Sequence, residues 1–204
     1  MKKPLLALLL LPVLAATAQA QPAQNVTSGG TRSDEIILKI KKLDVLIQIV
    51  PLALSKDQFG PILSSIEKMR QKEKELRAQE DKDLANIDAA ISKAVDDAVG
   101  KEKYPARETQ TLVANTYRAM GLRRALYAND AVDTVFAACK ATLNEGQIKA
   151  MEKSLKPEAL EPGLKVDEMD SDTKVKFFIR KVMLDPVAYD VLVQMSKKKS
   201  TEGS

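Results

Sequence analysis

Histidine is absent from all 204 residues, and Cys139 is the only thiol. Those two facts remove most side-chain chemistry. The commonest general base, the usual zinc ligand and the usual partner of a serine nucleophile are all imidazoles. Carboxylates, amines and thioethers remain. Asp167, Glu168, Asp170 and Asp172 crowd one stretch, but the Gly turn and terminal Glu of a calcium-binding loop are missing, so they read as a solvated loop and helix cap. Met69, Met120, Met151, Met169, Met183 and Met195 are scattered rather than grouped as copper ligands, and read as gap fillers in apolar faces. Lys and Glu are abundant, yet nothing singles out a pair for proton transfer. No catalytic residue, metal site or cofactor is expected, and the chain does not read as an enzyme. Cys139 excludes an intramolecular disulfide and reads as a small buried hydrophobe, the alternative being an intermolecular disulfide.

The one pattern that recurs is Leu54-Ser-Lys-Asp-Gln58 and Leu143-Asn-Glu-Gly-Gln147. Ser55 and Asn144 are good N-cap residues, and Gln58 and Gln147 stand where a side chain reaches back to the cap N–H. Leu54 with Phe59, and Leu143 with Ile148, are spaced as hydrophobic staples. Each motif therefore starts a helix and fixes how the chain enters it.

The elements around these motifs are helical throughout. The chain is 45% hydrophobic, only 4% aromatic and contains eight Gly, which favours helices. A first helix starts near Ser33 with Asp34 and Glu35 in its first turn. It places Ile36, Ile40, Leu43, Ile47 and Val50 on one stripe, expected to face a helical core or a dimer, and ends at Pro51. The second spans Lys56 to Val99, with Ile62, Ile66, Met69, Leu76, Leu84, Ile87, Ile91, Val95 and Val99 on one face. That spacing exceeds the heptad value, so a strict left-handed coiled coil is not expected. The dense charges from Arg70 to Asp83 read as a solvated face, and Pro61 as a kink or a delayed start. Gly100 is expected to end this helix, and Pro105 to open a third that runs to about Thr142. The third carries Val113, Tyr117, Met120, Tyr127, Ala131, Val135 and Cys139 on one stripe that only Arg124 interrupts. The short link makes these two an antiparallel hairpin. A short helix after Asn144, a loop over residues 156–172, and helices Thr173–Leu184 and Pro186–Lys197 complete the order, with Asp185 as a cap. The fold expected is an all-α, elongated bundle built on a long antiparallel hairpin. It occupies residues 33–198, between a flexible arm (21–32) and a disordered tail (199–204).

An exported all-helical chain with two Leu-[Ser/Thr]-x-x-Gln-like motifs resembles the periplasmic Spy/CpxP family of envelope-stress proteins. The first motif matches with Ser55 where Thr is usual, and the second departs with Asn144. The resemblance implies thin helical hairpins that dimerise into a cradle, and ATP-independent chaperone or regulatory binding, sometimes linked to metal stress. The function expected is thus a non-catalytic extracytoplasmic protein-binding module for an unfolded client or an envelope partner, acting as a homodimer. Arg118, Arg123 and Arg124 are candidates for the rim of its binding surface. The alternative is a structural or assembly protein of the cell envelope that uses the hairpin to dock or the first helix to dimerise. Nucleic acid is not an expected partner: lysines alternate with acids instead of clustering, and losing Lys2 and Lys3 would leave +2 of the formal +4 charge. Contact with a membrane surface is not expected either.

Export rests on residues 1–20. Lys2 and Lys3 precede an apolar run from Leu5 to Leu14, and Ala18-Gln19-Ala20 offers small residues for cleavage, the pattern of a secretory signal peptide. No Cys follows, so a lipid anchor is not expected, and the simple Lys-Lys start points to a bacterial periplasmic or secreted protein. Asn25-Val26-Thr27 fits a glycosylation sequon but carries little weight in that setting. N-terminal sequencing of the protein from its native host is expected to begin near Gln21 in an extracytoplasmic fraction. Cytoplasmic protein starting at Met1 would refute the assignment.

Overall fold

The computed structural model describes residues 32–154, 165 and 168–202. The signal peptide, most of the arm, the sequon and most of the loop before Asp170 lie outside them. Among the described residues every regular element is helical. Helix α1 is Arg32–Ile49, followed by a 3-10 turn at Val50–Leu52, then α2 Lys56–Lys101, α3 Arg107–Thr142 and α4 Glu145–Ser154. Helix α5, Ser171–Phe178, runs into a π-helical turn at Ile179–Met183, and α6 is Pro186–Glu202. The expected all-α architecture on a long hairpin is what the chain forms. Helix α2, with 46 residues, reaches ~70 Å. Its pairing with α3 is antiparallel, because partner numbers fall on one helix as they rise on the other: Lys72 with Asp130, Glu80 with Arg124, Asp83 with Arg123.

One apolar core lies at the end of the hairpin where α1, α4, α5 and α6 gather. Ile49, Leu52, Leu54, Phe59 and Ile62 meet Val135, Cys139, Met151, Phe178, Ile179 and Leu192 there, all essentially inaccessible. Helix α6 packs on both α1 and α2, and α4 packs on α5. Farther along the hairpin burial thins: past Met69 on α2 the only buried residues are Glu80 and Ile87, and before Ala131 on α3 only Met120 is buried. The molecule is a head with a long, sparsely packed arm.

The inward face of α2 differs from the expected stripe. Ile62, Ile66, Met69, Glu73, Leu76, Glu80, Asp83 and Ile87 all have reduced exposure, at alternating steps of four and three. That is a heptad spacing, as in a two-helix seam. An apolar-only stripe skips Glu73, Glu80 and Asp83, and so drifts onto Leu84, Val95 and Val99, which are exposed. Part of the Arg70–Asp83 charge run therefore faces α3 rather than water. On α3, Tyr117 is likewise exposed, and half-buried Thr116 takes the inward place. The α1 stripe is turned outward too: Ile36, Ile40, Leu43, Ile47 and Val50 are exposed, while Val45 and Ile49 on the opposite side enter the core.

Helix ends show where local rules were overridden. Helix α2 passes Gly100 and closes on Glu102, a left-handed residue (φ 49°, ψ 30°) whose N–H bonds Asp97 O. Pro105 lies just outside α3, where Gln110 Nε2 donates to its carbonyl at 2.8 Å. Pro61 stays within α2. Its ring normally clashes with the Cβ of a helical predecessor, and Gly60 has none. Asp185 caps α6 as expected, accepting from Val187 N–H at 2.8 Å. The C-terminal segment is helical through Glu202 instead of starting a disordered tail at 199, and Lys199 Nζ donates to Leu54 O at 2.6 Å.

Ala53, between the 3-10 turn and α2, is also left-handed at φ 45°, ψ 46°. A side chain there is strained, whereas glycine is not. Replacing Ala53 with Gly is expected to raise stability by about 0.5–1 kcal/mol after the added flexibility of the unfolded chain is counted. A lower denaturant midpoint for Ala53→Gly would contradict this.

Candidate protein-binding surface

The two motifs, far apart in sequence, meet. At α4 the capping box is complete: Gln147 N–H donates to Asn144 Oδ1 at 2.9 Å and Asn144 N–H to Gln147 Oε1 at 3.0 Å. Gly146 leaves room for this, since a Cβ there would stand 3.3 Å from Asn144 Oδ1. At α2, Ser55 N–H donates to Gln58 Oε1 at 2.9 Å. The return contact from the Ser55 hydroxyl is the weaker half, because Gln58 N–H closes on the Ser55 carbonyl at 3.1 Å. Leu54, Phe59, Leu143 and Ile148 are all buried in the core cluster, consistent with stapled helix starts.

Each glutamine then does more than cap. The two amides face each other, Gln58 Nε2 donating to Gln147 Oε1 and Gln147 Nε2 to Gln58 Oε1, both at 2.9 Å. Their remaining protons go to main chain: Gln58 Nε2 to Thr142 O at 3.0 Å and Gln147 Nε2 to Leu52 O at 2.9 Å. Each amide thereby makes two donor and two acceptor bonds, its full capacity. Spacing within each motif announces the cap, but nothing in it announces the partner 89 residues away.

The candidate rim arginines divide. Arg124 grips Glu80 with both branches, Nε to Oε1 at 2.6 Å and Nη2 to Oε2 at 2.8 Å. Glu80 is only 5% exposed, so this fork-shaped pair satisfies a carboxylate that burial would otherwise penalise. Arg123 pairs with Asp83, its Nε buried without a hydrogen-bond partner. Lys72 pairs with Asp130 at 2.7 Å, and the Tyr127 hydroxyl donates to Met69 O at 3.1 Å. Burial, reinforced by Glu73, pushes that hydroxyl up to about 12. Arg123 and Arg124 are thus engaged in holding α2 to α3. Arg118 is exposed and, alone of the three, is in no ion pair among the described residues.

Along and beyond this polar belt the arm presents apolar side chains to solvent. Val99 and Tyr104, near the tip, are 80% and 82% exposed. Val95, Leu112, Tyr117, Leu122 and Leu126 are exposed as well, between charges of both signs such as Lys93, Asp97, Lys101 and Arg118. Several of those charges pair locally, Asp97 accepting from Lys93 at 2.9 Å and Lys101 at 2.7 Å, which holds its carboxyl below the usual carboxylate range.

Among the described residues, the remaining polar features are taken up by their own contacts. A shallow depression of about 330 Å³ beside α4 is lined by Lys140, Glu145, Lys149, Glu152 and Ser171. Its polar groups are engaged: Lys149 with Glu145 at 2.7 Å, Lys140 with Asp172 at 3.1 Å, the Ser171 hydroxyl with Glu152 at 2.5 Å. Of the acidic cluster, Asp170 caps α5 through Thr173 N–H at 2.7 Å and Glu168 pairs with Lys165 at 2.8 Å, while Asp167 lies outside the described residues. Cys139 is fully buried, 3.8 Å from Met183 Sδ, and burial pushes its thiol up to about 12. That favours the small buried hydrophobe over an intermolecular disulfide. No family model, curated protein or solved structure matches the chain.

Truncating Gln147 to Ala strands Leu52 O, Asn144 N–H and half of the Gln58 amide, and is expected to cost about 2–4 kcal/mol. Gln58→Ala together with Gln147→Ala should cost less than the sum, by about 1–2 kcal/mol. Asn144→Ala is expected to cost about 1–2 kcal/mol and Ser55→Ala nearer 0.5 kcal/mol, with Gly at either site costing a few tenths. Strictly additive denaturant midpoints for the two glutamines would rule out the mutual pairing.

Proposed function

We propose that the chain is a non-catalytic, extracytoplasmic protein-binding module, similar to ATP-independent chaperones of the Spy/CpxP type, whose working surface is the distal half of the hairpin. The observation that carries this reading is the exposed run Val95, Val99, Tyr104, Leu112, Tyr117, Leu122 and Leu126 on an arm whose own core is thin. Large apolar side chains left in solvent along one arm offer contact points to a partner. Charges of both signs between the apolar groups keep each contact weak and unselective, which suits a partner without fixed structure. The paired motifs support the reading indirectly, by anchoring the arm to the head. Arg118 belongs to this surface, whereas Arg123 and Arg124 serve it by keeping the two helices together.

The test is suppression of aggregation of a chemically unfolded enzyme, without nucleotide, by the purified protein. We expect protection near stoichiometric amounts, and its loss when Val99, Tyr104, Tyr117, Leu122 and Leu126 are all replaced by Ser. Each replacement should leave stability within about 0.5 kcal/mol, because these side chains are solvated. No protection by the native chain, or full protection by the Ser variant, would overturn the proposal. Tight capture of one folded envelope protein, with no protection of unfolded clients, would favour the assembly role instead.

A further inference from the structure

Helix α1 has two apolar faces, and only one is used inside the chain. Val45 and Ile49 enter the core, with Leu38 and Leu46 half-buried beside them. On the opposite side Ile36, Ile40, Leu43, Ile47 and Val50 are each 47–58% exposed. Within α1 the steps of four, three and four are a heptad frame, with Ile40 and Ile47 at a and Ile36 and Leu43 at d, and Val50 extends the apolar line into the 3-10 turn. Such a narrow seam fits another helix.

The flanks choose both partner and direction. Lys39 falls at g and Asp44 at e of this frame, both exposed and in no ion pair among the described residues. In a parallel pair, g of one helix faces the following e of the other, so Lys39 of each copy meets Asp44 of its mate, twice by symmetry. In an antiparallel pair g faces g and e faces e, so Lys39 and Asp44 would not meet. A helix lying on lipid would carry Lys or Arg on both flanks, and Asp44 occupies one. With the edge residue Ile37, the seam would bury on the order of 1,000 Å² over two copies, the lower bound of a specific interface.

We infer that α1 is a homodimerisation helix, joining two copies of this chain in parallel through the Ile36–Val50 seam with reciprocal Lys39–Asp44 pairs. The head packs on the opposite face of α1 and leaves the seam clear. The inference is independent of client binding.

Sedimentation equilibrium of the protein in the form its host accumulates tests this, over micromolar to millimolar concentrations. We expect a reversible dimer, weakened at least ~30-fold by Leu43→Glu, with the thermal midpoint unchanged at concentrations where both proteins are monomeric, since Leu43 is solvated in the monomer. Lys39→Glu alone should weaken association about 3–10-fold, and Lys39→Glu with Asp44→Lys should restore it. A monomer at every concentration, a dimer indifferent to Leu43→Glu, or a double charge swap no tighter than the single one would each overturn the proposal. So would Leu43-dependent binding of the monomer to anionic vesicles.

Discussion

Two side-chain amides hold the head together. Gln58 and Gln147 each close the first turn of their own helix and then spend their remaining capacity on one another and on the main chain entering the opposite motif. An amide buried with any of these bonds missing would cost free energy, so the arrangement is stable only as a whole. The start of α2, the end of α3 and the start of α4 are thereby fixed to one another, and Lys199 ties α6 to the same place through Leu54 O. The apolar cluster forms around this polar centre, with Leu54, Phe59, Leu143 and Ile148 stapled on either side.

Away from the head the hairpin obeys a different balance. Its seam keeps heptad spacing but fills several positions with Glu73, Glu80 and Asp83; Arg124 and Arg123 answer the last two from α3, and Arg77 on α2 itself answers Glu73. Charged seams contribute less than apolar ones, because desolvation offsets most of the Coulomb gain. Arg124 is also well exposed, which screens its pair further. The arm is therefore attached firmly at its base and loosely along its length, and its apolar side chains remain available outside.

Much of this was legible from sequence. Apolar spacing located the helices, the Ser55, Asn144 and Asp185 caps fixed three starts, and the short link between α2 and α3 required a hairpin. Reading the faces went less well, for one physical reason: apolar residues were taken as the inward set. On α1 two apolar faces compete, and residue types alone do not say which one α6 covers. On α2 the inward set includes carboxylates, of which Glu80 and Asp83 depend on arginines of α3 and Glu73 on Arg77 of its own helix. The ends at Glu102 and Ala53 break the glycine preference for left-handed backbone, so no local rule points to them. The amide pair escaped because each motif is fully explained by its own helix. Two identical caps with spare hydrogen-bonding capacity, in a chain short of buried polar partners, were the only available hint.

A two-helix seam with heptad spacing has an inherent ambiguity: sliding one helix past the other by seven residues restores the same side-chain pattern about 10 Å away. The exposed mixed charges along the arm penalise such a slip only mildly, and the Glu80–Arg124 pair is the one seam contact that resists it strongly. The glutamine pair tolerates none, because amides meeting at 2.9 Å are separated by any shift of even one turn. Closing an 89-residue loop from the unfolded chain costs about 4 kcal/mol of entropy, but a correctly zipped hairpin has already met that cost. The contact thus forms readily behind the right alignment and not behind a slipped one. It serves as a molecular proofreader of how the two long helices are aligned.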